Sequence, residues 1–422
     1  MKYRVAIRWV VWIVLAFALA LPARAQITAI RAGKLVDPAS GATATNQIII
    51  IDGTHIQAVG GKLQIPPGAS VIDLSNATVL PGLVDAHTHL CLVVQRQYDN
   101  GSYFFSVLIN SDPRRAIQGV ANARDMLNAG FTTVRDVGNA GNYIDTALRE
   151  AIDQGLVPGP TIINAGRIIA PYGGQFHLQP DRKELGEPEY FFADSRDEMR
   201  KAIRENIHFG AKVIKIVVDD QPYIYSVEDI RFMVQEAAAA GLKVAAHCWT
   251  HAGAHNAAEA GVASIEHGFA MTDEDIELAK KNGVVLVGTE LTELAEREIG
   301  APGWHQTFVD RLRRAYRIGI TMVYGTDTFF AYRGETRGTL AMSQIDSWVE
   351  AGVSAKDTLK AMIPNAVRLL GVDGERGAIR AGQAADIVAT PDNPLDNIQT
   401  LKRVQFVMKN GKVIRNDRTA TQ

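Results

Sequence analysis

The chain has 422 residues, 47% hydrophobic, 21% charged and 7% aromatic, an ordinary globular composition that excludes a disordered, collagen-like or coiled-coil protein. With 44 Lys and Arg against 46 Asp and Glu the net charge is −2, so no basic excess exists to neutralise phosphates, and nucleic acid is not an expected partner. The length allows two or three domains, or one α/β barrel of roughly 250 residues with a smaller unit beside it.

Met1–Arg8 carries Lys2, Arg4 and Arg8, Trp9–Leu21 is an uninterrupted apolar run, and Ala23-Arg24-Ala25 has the small-residue spacing of a cleavage site. These three parts together predict a secretory signal peptide over 1–25, cleaved after Ala25. The apolar run is shorter than the roughly 20 residues needed to span a bilayer. The mature chain is therefore expected to be secreted or periplasmic, with no stable membrane anchor. Export permits disulfides, and the two cysteines, Cys91 and Cys248, allow one bridge at most. Both are read as small packing residues.

Residues 27–80 predict short strands: Ile27–Ile30, Lys34–Val36, Ile48–Ile51 and His55–Val59, broken by Asp37-Pro38, Asp52-Gly53 and Gly60-Gly61. From Thr78 to Leu370, β-rich runs alternate with helical stretches, the signature of βαβ units and a parallel sheet. The predicted strands are Val79–His87, Thr132–Val137, Thr161–Ala165, Val213–Val218, Lys243–His247, Ser264–His267, Val284–Val287 and Thr321–Gly325. Helices are expected between them, including Ala116–Ala129, Arg196–Phe209, Val227–Ala240, Ala252–Ala260, Asp273–Lys281 and Thr307–Arg317. Asp386–Ala389, Val404–Met408 and, after the hairpin signal Asn410-Gly411, Lys412–Ile414 close the chain as strands. Eight strand–helix units fit a (β/α)8 TIM barrel over 81–372, whose active site lies at the C-terminal ends of the strands. A doubly wound sheet is the alternative, but its Gly-rich turn after the first strand is replaced by His87-Thr88-His89.

Polar residues fall on those strand ends. His87 and His89 end the first strand, Lys215 lies in the fourth, His247 ends the fifth, His267 ends the sixth, and Asp327 follows the eighth. In a barrel all six converge on one mouth. His-x-His on an extended segment turns both imidazoles to the same side, and two neutral imidazoles suit a divalent metal such as zinc. His251 and His255 continue a four-residue spacing from His247, but no H-E-x-x-H glutamate accompanies them, and they are read as solvated helix residues. Asp219-Asp220 marks the mouth of the fourth loop, where a carboxylate pair would favour cationic substrates; a simple turn is the alternative.

The segments Leu80-Pro81-Gly82-Leu83-Val84-Asp85-Ala86-His87-Thr88-His89, Val213-Ile214-Lys215-Ile216, Ile265-Glu266-His267-Gly268 and Gly325-Thr326-Asp327 resemble the amidohydrolase superfamily of metal-dependent hydrolases. So do the tail Gly377–Val388 and Val407-Met408-Lys409-Asn410-Gly411-Lys412. The resemblance covers essentially the whole mature chain and implies that 26–80 and 373–422 form one small β-sandwich domain beside the barrel. It further implies two divalent metal ions, with zinc favoured by the His-rich set. His87, His89 and Asp327 would hold one metal, His247 and His267 the other, bridged by a CO2-derived carbamate on Lys215. An ammonium cannot ligate a cation, whereas a carbamate can. Two divalent ions, the carbamate, Asp327 and a bridging hydroxide leave a surplus of about one positive charge, which lowers the pKa of bound water. Attack by that hydroxide, with Asp327 as general base and proton donor to the departing amine, is the implied mechanism. Cys248 as nucleophile is a weaker alternative.

Within the superfamily the lysine subtype and Thr132-Thr133-Val134-Arg135-Asp136 look most like the imidazolonepropionase-related dipeptidases. These include Xaa-Pro and Xaa-Arg dipeptidases and ochratoxin-hydrolysing amidases, and they imply hydrolysis of a dipeptide or N-acyl amino acid. Two departures bear on the substrate. Gly173-Gly174-Gln175-Phe176-His177 stands where such enzymes have Gly-Gly-His, and Trp249 stands where they have tyrosine. A bulky or aromatic substrate group is therefore expected, with His177, Tyr223 and Trp249 as candidate contacts. A cyclic-amide hydrolase or deaminase on the same barrel is the competing enzyme reading. A binding protein on an inactive hydrolase fold would have lost a ligand, and none is missing. Homo-oligomerisation is implied only by the relatives.

Overall fold

The computed structural model describes residues 27–138 and 141–419; the predicted leader lies outside them. In chain order the strands are β1 (Ile27–Asp37), β2 (Ala42–Asp52), β3 (His55–Gly60), β4 (Ser70–Pro81), β5 (Leu83–Thr88) and β6 (Phe131–Asp136). Then come β7 (Thr161–Asn164), β8 (Ile168–Ala170), β9 (Tyr190–Phe192), β10 (Ile214–Val217), β11 (Val244–Cys248) and β12 (Ser264–His267). β13 (Val285–Val287), β14 (Met322–Val323), β15 (Ile387–Thr390), β16 (Phe406–Lys409) and β17 (Lys412–Asn416) complete the set.

The middle of the chain builds two parallel sheets, one in the order β14-β13-β12-β11-β10-β8-β9 and one in the order β5-β6-β7. From β10 to β14 sequential strands are spatial neighbours, and β9 lies outside β8 at the edge of the larger sheet. Every residue of β10, β11 and β12 is buried, as expected where helices cover a parallel sheet. The covering helices start where the sequence provides caps. Arg196–His208 opens on a Ser195/Glu198 capping box and Asp273–Lys281 on a Thr272/Asp275 box. Hydrogen bonds link the margins of the two sheets. Asn164 O accepts from Lys212 N at 2.7 Å and Val213 N at 3.2 Å, and Tyr324 O accepts from Ala86 N at 2.9 Å.

The two chain ends share one sheet, β17-β16-β15-β4-β1-β2-β3. The strands of the two chain ends expected to form a small β-sandwich are thus hydrogen-bonded to one another, one after the next, along one sheet. β4 pairs parallel with β1 on one side and antiparallel with β15 on the other, which joins N- and C-terminal strands edge to edge. The bridge His55↔Ala384 then folds the β3 side back onto the segment before β15. Ile30, Ile49, Leu74, Ile387, Phe406 and Met408 fill the curl. At Gly33, where the β1–β4 register shifts, a Cβ would lie 1.9 Å from Ser75 O, so only glycine fits. The predicted strand Val79–His87 is two strands, interrupted at Gly82, whose Cβ would sit 2.1 Å from Thr132 Oγ1.

Among the described residues no helix is long and apolar enough to cross a membrane. Cys91 and Cys248 are free and buried, in keeping with their reading as packing residues.

Candidate active site

The ends of β5, β11 and β12, β10 and the segment after β14 deliver His87, His89, Lys215, His247, His267 and Asp327 to one cavity of about 190 Å³. The imidazoles form a row, with ring centroids 5.2 Å apart for His89–His87, 4.9 Å for His87–His267 and 4.5 Å for His267–His247. Asp327 faces the row, with Oδ1 3.1 Å from His89 Nε2 and 3.7 Å from His87 Nε2, and Oδ2 3.7 Å from His267 Nδ1. His267 (φ 64°) and Asp327 (φ 50°) both adopt left-handed backbone, a strain of the kind concentrated at functional sites.

Burial and Lys215 push the His87 pKa down to about 3, and burial, with His247, His87 and Lys215 beside it, drives that of His267 well below the usual range. Both rings are therefore neutral, the form that ligates metal. Burial raises the Asp327 carboxyl, but His87, His89 and Lys215 outweigh it and hold the group below its ordinary value. Lys215, within β10, is buried, whereas Lys212, ahead of the strand, is exposed. Burial lowers the Lys215 amine to about 8.

His87 Nε2 is buried and has no hydrogen-bond partner, and buried His247 Nε2 and Asp327 Oδ1 make no aligned hydrogen bond although Asp220 Oδ2 and His89 Nε2 lie 3.0 and 3.1 Å away. Desolvated polar atoms left unpaired are costly. Imidazole nitrogens and a carboxylate oxygen converging on one cavity are the donor set of a zinc-type cation, so the residues fit a divalent metal. His87, His267 and Asp327 present ligand atoms within 4.8 Å of one another.

A surrounding layer orients these groups. Glu266, on the same strand as His267, accepts from His87 Nδ1 at 2.7 Å and from Arg135 Nη2 at 2.7 Å. Arg135 is braced by Ala86 O and Ser264 Oγ at 2.6 and 2.9 Å. Burial raises the Glu266 carboxyl, but Arg135 and His87 reverse this and hold it low. His89 Nδ1 donates to Gly138 O at 2.8 Å, and His267 Nδ1 meets Thr289 Oγ1 at 2.9 Å. Asp85 accepts from the His87 and Thr326 amides, both at 3.0 Å, and ties β5 to the segment after β14. Sequence reasoning assigned no role to Arg135 or Glu266. The available signal was two charged residues inside otherwise apolar strands.

Of the three candidate substrate contacts, Trp249 lines the cavity. His177 and Tyr223 do not, and both are exposed. Phe176 is drawn into an aromatic cluster with Tyr103, Phe104 and Tyr190, with centroids at 5.0, 4.9 and 5.3 Å. That burial turns the next residue, His177, outward and leaves Gln175 at the cavity. Gln175 donates to Asp220 Oδ2 at 2.7 Å and accepts from Tyr190 Oη at 2.8 Å. Asp220 also approaches His247 Nε2 to 3.0 Å.

Asp219-Asp220 is not an open carboxylate pair for cations. Asp219 is buried and accepts from Trp249 N, Thr250 N and Thr250 Oγ1 at 2.8, 2.7 and 2.6 Å. Losing those charge-assisted bonds in Asp219→Ala is expected to cost about 2–3 kcal/mol, read from urea unfolding. His251 and His255 are only partly solvated, because their Nδ1 atoms contact Asp275 at 2.6 and 3.1 Å. A larger cavity of about 950 Å³ beside β9 holds none of the histidines, and its Arg115 and Glu189 are paired with each other.

Residues 78–414 match the model of the amidohydrolase family. The chain is 29% identical to an ochratoxinase of Aspergillus niger, over 93% of this chain and 87% of that one. It is 26% identical to an imidazolonepropionase of Alkaliphilus metalliredigens, over 87% and 89%. The fold is similar to a crystal structure of a Xaa-Pro dipeptidase with bound methionine in the active site, with TM-score 0.81 and 28% identity over 93% of this chain and 100% of that one. The chain thus belongs to the amidohydrolase family and is a hydrolase acting on amide bonds.

Proposed function

We propose that this chain is an exported, binuclear metal-dependent amidase that hydrolyses the linear amide joining an acyl group to an amino acid or amine, as in dipeptides and N-acyl amino acids. The observation that carries this reading is the convergence of His87, His89, Lys215, His247, His267 and Asp327 on one cavity, with unpartnered nitrogen and oxygen atoms turned into it. The parallel sheets are taken to close into a (β/α)8 barrel. The bonds at Asn164 and Tyr324 support closure on both margins, as do those from Thr326 N and Asp327 N to His87 O.

His87, His89 and Asp327 would hold one divalent ion and His247 and His267 the other, with Lys215 between them. Bound there, such ions supply Lewis acidity toward the scissile carbonyl and lower the pKa of water. Burial favours the neutral Lys215 amine, the form that adds to CO2 to give an anionic carbamate and release a proton. Glu266 and Arg135 fix the His87 tautomer with Nε2 facing the cavity. Asp327, held ionised by its neighbours, accepts a proton from water and returns it to the departing nitrogen.

The test is metal content of the purified protein together with hydrolysis of a panel of dipeptides, N-acyl amino acids and their carboxylate-free counterparts. About two metals per chain, with activity abolished by chelation and restored by zinc, is the expected result. One metal or none, with activity indifferent to chelation, overturns the reading.

A further inference from the structure

Two aspartates stand at the two ends of the histidine row. Asp327 Oδ1 lies 3.1 Å from His89 Nε2 at one end, and Asp220 Oδ2 lies 3.0 Å from His247 Nε2 at the other. The two carboxylate side chains are alike in burial, with 23% and 22% exposed. Both residues also carry a positive φ, 50° at Asp327 and 144° at Asp220, and such strain concentrates at functional sites. At neither end do the nitrogen and oxygen make an aligned hydrogen bond. Close donor atoms without that alignment are the arrangement of two ligands on one cation. Two donors about 2.1 Å from a zinc-type ion, at right to tetrahedral angles about it, lie roughly 3.0–3.4 Å apart.

Ligand atoms gather in two places among the described residues. His87, His267 and Asp327 bring theirs within 4.8 Å of one another, and so do Asp219, Asp220 and His247. Asp219 is committed to the Trp249 and Thr250 amides and the Thr250 hydroxyl. Asp220 is therefore the carboxylate that the second group can offer to an ion. Its Oδ2 accepts from Gln175 Nε2 at 2.7 Å, while Tyr190 Oη donates to Gln175 Oε1 at 2.8 Å. Tyr190 thus turns the amide nitrogen of Gln175 toward Asp220. Carboxylates that ligate a metal are held by outer hydrogen bonds of this kind.

We infer that Asp220 is a protein ligand of the second metal ion, beside His247. The inference rests on the binuclear reading and extends it, because each end of the histidine row then holds its ion with a carboxylate as well as imidazole. A second carboxylate at the centre also removes its surplus positive charge. It binds the second ion more tightly and moderates the fall in the pKa of bound water. Gln175 and Tyr190 act through Asp220 as positioning residues.

Asp220→Gly tests this without threatening the fold, because glycine adopts a φ of 144° more readily than aspartate does. Its urea midpoint, measured without metal, is expected to equal or exceed that of the wild type. Zinc is then titrated by calorimetry into the metal-stripped full chain, with bicarbonate present to supply CO2. The wild type is expected to take two ions per chain. In Asp220→Gly one of the two should bind more than about 100-fold more weakly, beyond the roughly 10–100-fold that follows loss of an outer hydrogen bond. Gln175→Ala, which removes only such a bond, should fall within that smaller range. An effect in Asp220→Gly no larger than that in Gln175→Ala makes Asp220 a positioning residue; it overturns the inference and leaves the binuclear reading intact. One ion or none in the wild type overturns the binuclear reading, and the assignment of Asp220 to a second ion falls with it.

Discussion

Asp327→Asn is expected to lower kcat by about 10²–10⁴-fold, the contribution of a positioned proton-transfer group, with little change in the urea unfolding midpoint. The isosteric amide keeps the shape of the residue, and the left-handed backbone at φ 50° tolerates asparagine. It removes the anion that faces His87, His89 and His267. Lys215→Ala is expected to be equally inactive, with metal content falling below that of the wild type. Lys215→Glu, which restores an anion at that place, should recover part of the metal. Full activity in the Asn or the Ala variant would remove Asp327 or Lys215, respectively, from the reaction.

Arg135→Met should be the most destabilising single substitution near the site, at about 3–5 kcal/mol by denaturant unfolding, because it strands a buried carboxylate without its cation. The exposed portions of the Arg135 and Glu266 side chains are 3% and 0%, so water cannot compensate. The double variant Arg135→Met with Glu266→Gln should be more stable than the single one, since it removes the uncompensated charge. In the double variant a neutral amide replaces the carboxylate that accepts from His87 Nδ1, the ring is held less firmly, and metal affinity is expected to fall about 10–100-fold. A single variant as stable as the wild type would show that Glu266 is not ionised in the folded protein.

Local signals made much of this molecule legible. Alternating β-rich and helical runs marked the parallel core. Ser264–His267 and Asp273–Lys281 have the predicted limits, because charge, capping and turn residues mark both ends of each. The six residues around the cavity were also legible. A histidine or lysine at the end of an apolar strand is a local pattern, and strand order alone carries such ends to a common face. The relation between the two chain ends was less so. Nothing local to Ser70–Pro81 says that β1 and β15 flank it, and pairing at that distance is decided by which edges remain free once the core has formed.

Loops account for the misreadings. His177 and Tyr223 were polar or aromatic residues in the expected segments, but the burial of Phe176 against Tyr103, Phe104 and Tyr190 determines which way the segment turns. The short helices Tyr103–Ile109, Glu293–Ile299 and Arg337–Ser343 were not foreseen, since a run of two turns has too little periodicity to register. The last two supply Ala295, Ile299, Leu340 and Ser343 to an apolar cavity that shares Trp249 and Trp304 with the histidine cavity, so its walls were hidden where the chemistry was not. By itself the sequence determined which side chains meet at the cavity, the strands that carry them and the reaction class, because amide hydrolysis demands particular side chains at particular strand ends. Only the tertiary structure decided the Glu266–Arg135 support, the role of Asp219 and the aromatic wall of Trp249, Trp304 and Phe308 beside the histidines. Those features depend on side chains remote in sequence packing against one another, and no periodicity along the chain encodes such contacts.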